Sequence, residues 1–259
     1  MAGFELIKWY ADAVTDEGAA VIVYSAELRW RGPAIHYANL LIRSKDQDTV
    51  SRFSLRNQPL PEVRDDAVEW TSRAWKAKGR WSDLGGGIHE TLFDSAGGSL
   101  GWDCIAPRAR AEVRIAGAGD FCGWGYVERL RLSIAPWRLP IRRLRWGRFV
   151  NESDALVWID WSGDFNRRVV CCNGANVSAE RIGDREVLLE SGGGALDLEP
   201  IATLREGALG ATALSVLPDL FPARMLRVEE RKWLSKATLR RPGRPDSIGI
   251  AIHEVVEWP

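Results

Sequence analysis

Glu128 lies in the part of the chain richest in aromatic and charged residues. The stretch 121–148 holds three tryptophans, seven arginines and a single carboxylate, Glu128. If a strand runs through 124–130, the alternation of side chains places Trp124, Tyr126 and Glu128 on one face. Ring-lined, poorly solvated surroundings favour the neutral form of a carboxyl group, and a neutral carboxylic acid can donate a proton near neutral pH. The stretch therefore predicts a general acid among aromatic rings.

The same residues also fit an ordinary strand with no chemical role. Trp, Tyr and Val are common in strands, and a glutamate there is often solvated or paired with an arginine. Arg148, which shares the next predicted strand with Trp146, is the candidate partner. An ion pair of that kind stabilises the carboxylate and would remove its function as an acid. Asp160, at the end of a later strand, is a second candidate acid or base.

Several short motifs occur along the chain: Phe4-Glu5 followed by Trp9-Tyr10, Gly98–Asp103 with Pro107, Gly-Trp-Gly-Tyr-Val-Glu at 123–128, Leu-Arg-Trp-Gly-Arg-Phe at 144–149 and Ala-Leu-Val-Trp-Ile-Asp at 155–160. Together they resemble the carotenoid 1,2-hydratase and tocopherol-cyclase-like group of lipocalin-related proteins. The chain departs from the group directly after Glu128. Hydratase-like members carry a His-Asn or Lys-Asn pair there, whereas this chain has Arg129-Leu130-Arg131.

The resemblance implies an all-β protein of two consecutive lipocalin-like antiparallel β-barrels packed together, over 1–119 and 120–259. It also implies acid–base chemistry without a cofactor, in which a double bond of an isoprenoid- or polyketide-like substrate is protonated and water or an internal hydroxyl captures the cation. The site residues predicted on this basis are Glu128, Tyr126 and Asp160 for catalysis, and Trp124, Trp146, Arg148, Trp158 and His36 for substrate contact. A lone histidine such as His36 is, however, more often a structural residue than a ligand.

Turn residues at regular spacing separate short strands throughout the chain, a pattern typical of an all-β fold. In the first half the predicted strands include 20–28, 34–42 and 49–56, and a mixed segment at 62–77 leaves room for a short helix. In the second half they include 210–217, 225–234 and 248–256. The sequence Ile-His-Glu occurs at 88–90 and again at 252–254. This echo fits duplicated barrels or a chance match.

Composition narrows the possible partners. Lys plus Arg equals Asp plus Glu at 35 each, so no global charge attracts nucleic acid. The four cysteines have no metal-binding spacing, and no metal or other cofactor is predicted. The N-terminal residues lack a secretion signal, and no run is long and apolar enough to span a membrane. We therefore expect a cytoplasmic protein whose partner is a small hydrophobic ligand, with any membrane contact peripheral and the oligomeric state undetermined.

Three hypotheses of different classes fit these observations. The first is a lyase or isomerase of hydratase or cyclase type that acts on an unsaturated apolar substrate. The second is a lipid or isoprenoid carrier of lipocalin type without chemistry. The third is an interaction protein whose 13 tryptophans only fill its core. The first is preferred, because a carrier does not need an acid among aromatic rings.

Overall fold

A computed structural model describes residues 3–45, 47–211 and 221–259. The chain divides into two compact units, Met1–Arg138 and Leu139–Pro259. Each unit contains one curled antiparallel sheet of barrel type. The predicted all-β class, with two consecutive lipocalin-like sheets, is confirmed.

The first sheet runs in the order β4-β3-β2-β1-β10-β9-β7-β6-β5, with β8 paired to β9. Its strands are β1 (Glu5–Val14), β2 (Ala20–Arg29), β3 (Ile35–Arg43), β4 (Val50–Ser54), β5 (Glu62–Arg64), β6 (Ala67–Ser72), β7 (Ala77–Ser82), β8 (Ile88–Ser95), β9 (Gly98–Ile115) and β10 (Gly119–Leu132). A 3-10 turn at Pro136–Arg138 ends the unit.

The division between the units lies later than the predicted boundary between 119 and 120. Strand β10, which follows that point, pairs with both β1 and β9 and so belongs to the first sheet. The Gly-rich corner at 117–120 is therefore a hairpin turn within the first unit. As a consequence, Glu128 is a residue of the first unit and not of the second.

The second sheet runs in the order β14-β13-β12-β11-β19-β18-β17-β16-β15. Its strands are β11 (Arg143–Val150), β12 (Ala155–Ser162), β13 (Arg167–Cys172), β14 (Ala175–Asn176), β15 (Ala179–Ile182), β16 (Glu186–Leu189), β17 (Gly194–Ala208), β18 (Glu229–Arg240) and β19 (Ser247–Glu257). Among the described residues of this unit, the helical pieces are a four-residue helix, α1 (Ala223–Leu226), and 3-10 turns at Glu190–Gly192 and Leu209–Ala211.

Two local predictions differ from the structure. The segment 62–77 contains β5 and β6 in place of a short helix, because alternating apolar residues of β6 enter the core. The strand predicted over 225–234 begins only at Glu229, since α1 occupies its first residues. Most of the strand predicted over 210–217 lies outside the described residues.

The two sheets share one strand order, which indicates a duplicated unit. By position in that order, β1 corresponds to β11 and β10 corresponds to β19. Tyr10 pairs with Glu128 in the first sheet, and Trp146 pairs with Glu254 in the second. Counted from the last paired residues of β1 and β11, Val14 and Val150, these two pairs occupy the same position, so Glu254 is the positional counterpart of Glu128. The Ile-His-Glu echo is not part of this correspondence, because its first copy lies on β8 and its second on β19.

Both faces of the central strands in the first sheet are buried. All residues from Trp9 to Val14 of β1 are buried. Trp9, Ala11 and Ala13 belong to the hydrophobic core of the unit, together with Val127 of β10. The alternate residues, which include Tyr10 and Asp12, point to the opposite face and are buried as well. A polar cluster is thus held on a sheet face that is sheltered from water.

Gly125 lets β10 approach β1 at this point. A Cβ atom there would collide with the backbone oxygen of Asp12 and lie 2.7 Å from Cβ of Ala111. We expect Gly125→Ala to lower the free energy of unfolding by about 1–3 kcal/mol, because overpacking forces the strands apart. Urea denaturation checks this value. Gly86→Ala is the control, since a Cβ there has no atom within 4 Å; equal effects of the two substitutions would contradict the packing argument.

Candidate active site

Glu128 is buried on β10, with a relative accessibility of 7%. Its Oε2 atom accepts two hydrogen bonds, one from Nε1 of Trp102 at 2.6 Å and one from the hydroxyl of Tyr126 at 2.7 Å. An indole nitrogen can only donate. Because both bonds end on Oε2, that oxygen acts as an acceptor for two fixed donors.

Tyr126 serves as a fixed hydrogen-bond donor to this carboxyl group. Burial raises the pKa of Tyr126 well above its ordinary value, and the neighbouring Cys104 and Glu128 raise it further. A phenol in that position keeps its proton throughout the physiological range. Tyr126, which the sequence placed among the catalytic residues, is therefore suited to orient Glu128 rather than to titrate.

A second carboxyl group, that of Asp12, lies on the same face. The hydroxyl of Tyr10 donates to Oδ2 of Asp12 at 3.0 Å, and both residues are buried. Across the two strands Tyr10 pairs with Glu128, and Asp12 pairs with Tyr126. The four side chains form a checkerboard in which the carboxyl groups occupy one diagonal and the tyrosines the other. The rings of Tyr10 and Tyr126 are 5.9 Å apart.

The arginines that follow Glu128 stabilise the opposite face of the sheet. Arg129 and Arg131 donate to Oδ2 of Asp103 at 2.9 and 2.6 Å, and His89 bonds the other oxygen at 2.9 Å. Burial alone would raise the pKa of Asp103, but the bonds from His89 and Arg129 and the charges of both arginines hold that pKa below its ordinary value. The departure from the resembled motif thus has a structural role on the face away from Glu128.

Known families and structures provide the comparison for this geometry. No family model matches the chain, and no curated protein sequence matches it. Solved structures do match. Kievitone hydratase from Nectria haematococca shares 11% identity, with 98% of this chain and 89% of that chain covered at a TM-score of 0.60. CghA with Sch210972 shares 13% identity, with 98% of this chain and 88% of that chain covered at a TM-score of 0.60. A candidate AttH from Nitrosomonas europaea shares 12% identity, with 98% of this chain and 92% of that chain covered at a TM-score of 0.57. The fold is that of the AttH-like proteins. At such identities the likeness establishes the fold alone.

Within this AttH-like fold, the other predicted site residues of the first unit lie in different surroundings. The ring of Trp124 contacts the guanidinium groups of Arg110 and Arg108, at 3.6 and 5.7 Å from the ring centroid. His36 pairs across strands with Glu27, and the two side chains are 3.8 Å apart. The structure therefore brings together Tyr126 and Glu128 of the predicted set, and Trp102, which the sequence did not single out, supplies the second donor.

The predicted residues of the second unit occupy both faces of its sheet. Trp158 belongs to the hydrophobic core, whereas the ring of Trp146 lies 5.2 Å from Nζ of Lys232. Arg148 is fully buried and donates to the backbone oxygen of Ile250 at 3.1 Å. Asp160, the second candidate acid, accepts a bond of 2.8 Å from Arg168. An arginine partner suits Asp160 to a structural ion pair better than to proton transfer.

The second unit of this AttH-like fold also contains a buried histidine, His253, which lies in the second Ile-His-Glu copy and was not among the predicted site residues. Nε2 of His253 lies 2.7 Å from the hydroxyl oxygen of Ser235, and the ring stacks at a tilt on Trp233 with centroids 5.1 Å apart. Burial lowers the pKa of His253 to about 4; Asp184 opposes this shift, and the charge of Lys232 adds to it. The imidazole is therefore neutral at physiological pH.

The remaining described features do not indicate a metal site or a membrane helix. Among residues 3–45, 47–211 and 221–259, no group of three or more His, Cys, Asp or Glu side chains could hold a metal ion. In the same ranges no helix is both long enough and apolar enough to cross a membrane. The groups on the Glu128 face are carboxyl groups, hydroxyls and aromatic rings.

Replacing Trp102 measures the hydrogen bond that it gives to Glu128. We expect Trp102→Phe to lower the free energy of unfolding by about 1–3 kcal/mol more than Trp70→Phe, because the buried carboxyl group loses a donor. Trp70 is the matched control, since it is equally buried but its Nε1 has no hydrogen-bond partner among the described residues. Chemical denaturation of both variants checks the difference, and equal losses would show that the bond contributes nothing.

Proposed function

We propose that this protein is an enzyme of hydratase or cyclase type that protonates a carbon–carbon double bond of a hydrophobic substrate. The observation that carries the proposal is the buried carboxyl group of Glu128, which is oriented through Oε2 by Trp102 and Tyr126. Any buried carboxyl group needs hydrogen-bond donors. A proton donor also needs a fixed position, because its position relative to the substrate decides its efficiency.

In this proposal each residue has a distinct part. Glu128 delivers the proton, and Tyr126 with Trp102 holds the carboxyl group in place. The cation that forms on the substrate is stabilised by electron-rich rings. The ring of Tyr10 lies 5.3 Å from that of Tyr24 and 5.9 Å from that of Tyr126. Water or an internal hydroxyl then captures the cation. Neither step changes the oxidation state of the substrate and its nucleophile taken together, so we propose that no cofactor is required.

The structural neighbours support this class of reaction. One neighbour is named as a hydratase of kievitone, and CghA was solved with Sch210972 bound. For this chain we propose an unsaturated isoprenoid- or polyketide-like substrate, in agreement with the motifs at 123–128 and 144–149. The carrier hypothesis predicts binding without conversion. It receives less support from the first unit, because that interior is filled by a core that includes Trp9, Trp70 and Trp81.

The proposal is tested with a panel of carotenoids, prenylated phenols and linear polyenes. Binding is followed by quenching of the intrinsic fluorescence of the 13 tryptophans, and conversion by mass spectrometry in ¹⁸O-labelled water. We expect at least one bound compound to gain one labelled water, or to cyclise without a change in mass. Binding of several compounds with none converted would contradict the enzyme proposal in favour of a carrier. Failure of every compound to bind would contradict both.

A further inference from the structure

Two Trp-Arg pairs that are far apart in the sequence meet at one end of the first unit. Trp30-Arg31 follows β2, and Trp137-Arg138 closes the unit in its 3-10 turn. The centroids of the two indole rings are 5.1 Å apart, and the ring of Phe4 lies 6.1 Å from Trp30 and 5.7 Å from Trp137. All three rings are partly exposed. The fold thus assembles an aromatic patch, formed by Phe4, Trp30 and Trp137, outside the hydrophobic core of the unit.

The two arginines of these pairs add positive charge beside the aromatic patch. Both Arg31 and Arg138 are exposed. Among the described residues, neither of them forms an ion pair with a carboxylate. The glutamates at this end of the sheet, Glu5 and Glu27, interact with Arg29. The guanidinium groups of Arg31 and Arg138 can therefore bind an anion from outside the protein.

The backbone of Arg31 indicates a specific role for its side chain. The φ angle of this residue is 56°, in the left-handed region that residues other than glycine rarely adopt. In this conformation the guanidinium group lies over the indole of Trp30, 4.6 Å from the ring centroid. Gly32 would adopt the same region without strain, yet the arginine occupies the strained position. Strain of this kind is common where a protein contacts a ligand, so the turn holds a cation and a ring together for that purpose.

We infer that the aromatic patch and its two arginines attach this protein to the surface of an anionic phospholipid bilayer. Tryptophan is favoured at the boundary between water and acyl chains, because its ring is apolar and its N–H needs a polar partner. Arginines beside such rings pair with the phosphate groups of the lipids. A free phosphate in solution would bind the arginines and leave the rings exposed, so the combination favours a lipid surface. The inference is independent of the proposed function, since no residue of the patch belongs to the Glu128 face.

Vesicle binding tests the contribution of the charges. The wild type is sedimented with vesicles of phosphatidylcholine alone and of phosphatidylcholine with an equal share of phosphatidylglycerol. We expect it to bind the anionic vesicles and to be released at high salt, which screens exposed charges. Each arginine near a membrane surface contributes about fivefold to the partition coefficient. The double variant Arg31→Gln, Arg138→Gln should therefore bind the anionic vesicles about 10- to 30-fold more weakly.

The matched control removes two equivalent charges from the opposite end of the sheet. Arg73 and Lys76 lie in the turn between β6 and β7; both are exposed, and neither forms an ion pair within the described ranges. That turn lies beside the start of β10, whereas the aromatic patch lies beside the end of β10. The double variant Arg73→Gln, Lys76→Gln therefore has the same net charge as the patch variant. It should bind anionic vesicles as the wild type does.

Tryptophan fluorescence tests the contribution of the rings. Lipids that carry bromine near the headgroup end of their acyl chains quench indoles that enter this layer. We expect quenching of the wild type on anionic vesicles, and its loss in the double variant Trp30→Phe, Trp137→Phe. This variant keeps three aromatic rings in the patch but removes both of its indoles. The melting temperature of each variant shows whether it is folded.

Several results would overturn the inference. They are no binding of the wild type to anionic vesicles, equal binding by the patch and control charge variants, and quenching that persists in the phenylalanine variant. A dimer of the wild type in solution that is lost in Arg31→Gln, Arg138→Gln would also overturn it, because the patch would then bind a second copy of the chain. Should the phenylalanine variant unfold, the two charge variants decide the question. Conversion of a compound tests the proposed function alone.

Discussion

Glu128→Gln should lower kcat by about 10²- to 10⁴-fold, the contribution typical of a positioned general acid, which is about 3–5 kcal/mol of transition-state stabilisation. The amide retains an oxygen that can accept the bonds from Trp102 and Tyr126. It has no acidic proton to give. Binding of the hydrophobic compound should therefore persist while its conversion stops. Single-turnover kinetics together with fluorescence quenching separate the two effects.

The control for this substitution is Glu69→Gln, which changes an exposed glutamate paired with Arg80 in the same sheet. It should leave both binding and turnover unchanged. The account would be contradicted if Glu128→Gln folds, binds the compound and converts it at the wild-type rate. That outcome would make Glu128 a buried structural residue.

The second large effect concerns the pH dependence of stability through His253. Because burial depresses the pKa of His253 to about 4 in the folded protein, compared with about 6.5 in an unfolded chain, only the unfolded chain takes up the proton between these values. Stability is fully present above pH 6.5 and falls as the pH drops towards 4. The expected loss is on the order of 3 kcal/mol across this window. Asp184, Lys232 and Arg185 are the charged groups that act on the ring.

His253→Gln provides the test of this effect. Glutamine can still bond to the Ser235 hydroxyl but does not titrate in this range. Urea denaturation at several pH values between 4 and 7 should therefore show a shallower decline for the variant than for the wild type, with a difference on the order of 3 kcal/mol at pH 4. Parallel curves for the two proteins would contradict a buried neutral imidazole.

Local alternation predicted part of this arrangement from the sequence. The spacing of Tyr126 and Glu128 placed them on one face, and the structure shows their side chains joined by a hydrogen bond of 2.7 Å. The all-β class followed from regular turn residues between short strands. The shared face and the all-β class both depend on residues that are close together in the sequence, so the alternating pattern predicts them directly.

The partners that come from other strands could not be predicted in the same way. Trp102 reaches Glu128 through the pairing of β9 with β10, where the register shifts around Val127. Such a shift cannot be read from either strand alone. Tyr10 and Asp12 lie in a run that is buried on both faces, so no alternation marked them. Their only signal was the Tyr-x-acid spacing shared by 10–12 and 126–128.

The predicted boundary between 119 and 120 differs from the division between the two units for a related reason. The Gly-rich corner at 117–120 has the composition of a linker, but it connects two strands of one sheet, β9 and β10. Turn-forming residues indicate that the chain reverses its direction, but they do not indicate which strands pair afterwards. The actual division follows the 3-10 turn at Pro136–Arg138.

Deuterium transfer to carbon tests the central claim most directly. A compound that binds and reacts is incubated in D₂O with the wild type and with Glu128→Gln, and the product is analysed by mass spectrometry and NMR. The account predicts one non-exchangeable deuteron on a carbon of the former double bond with the wild type, and none with the variant. A product from Glu128→Gln that carries the same deuteron at the same rate would show that the proton comes from elsewhere.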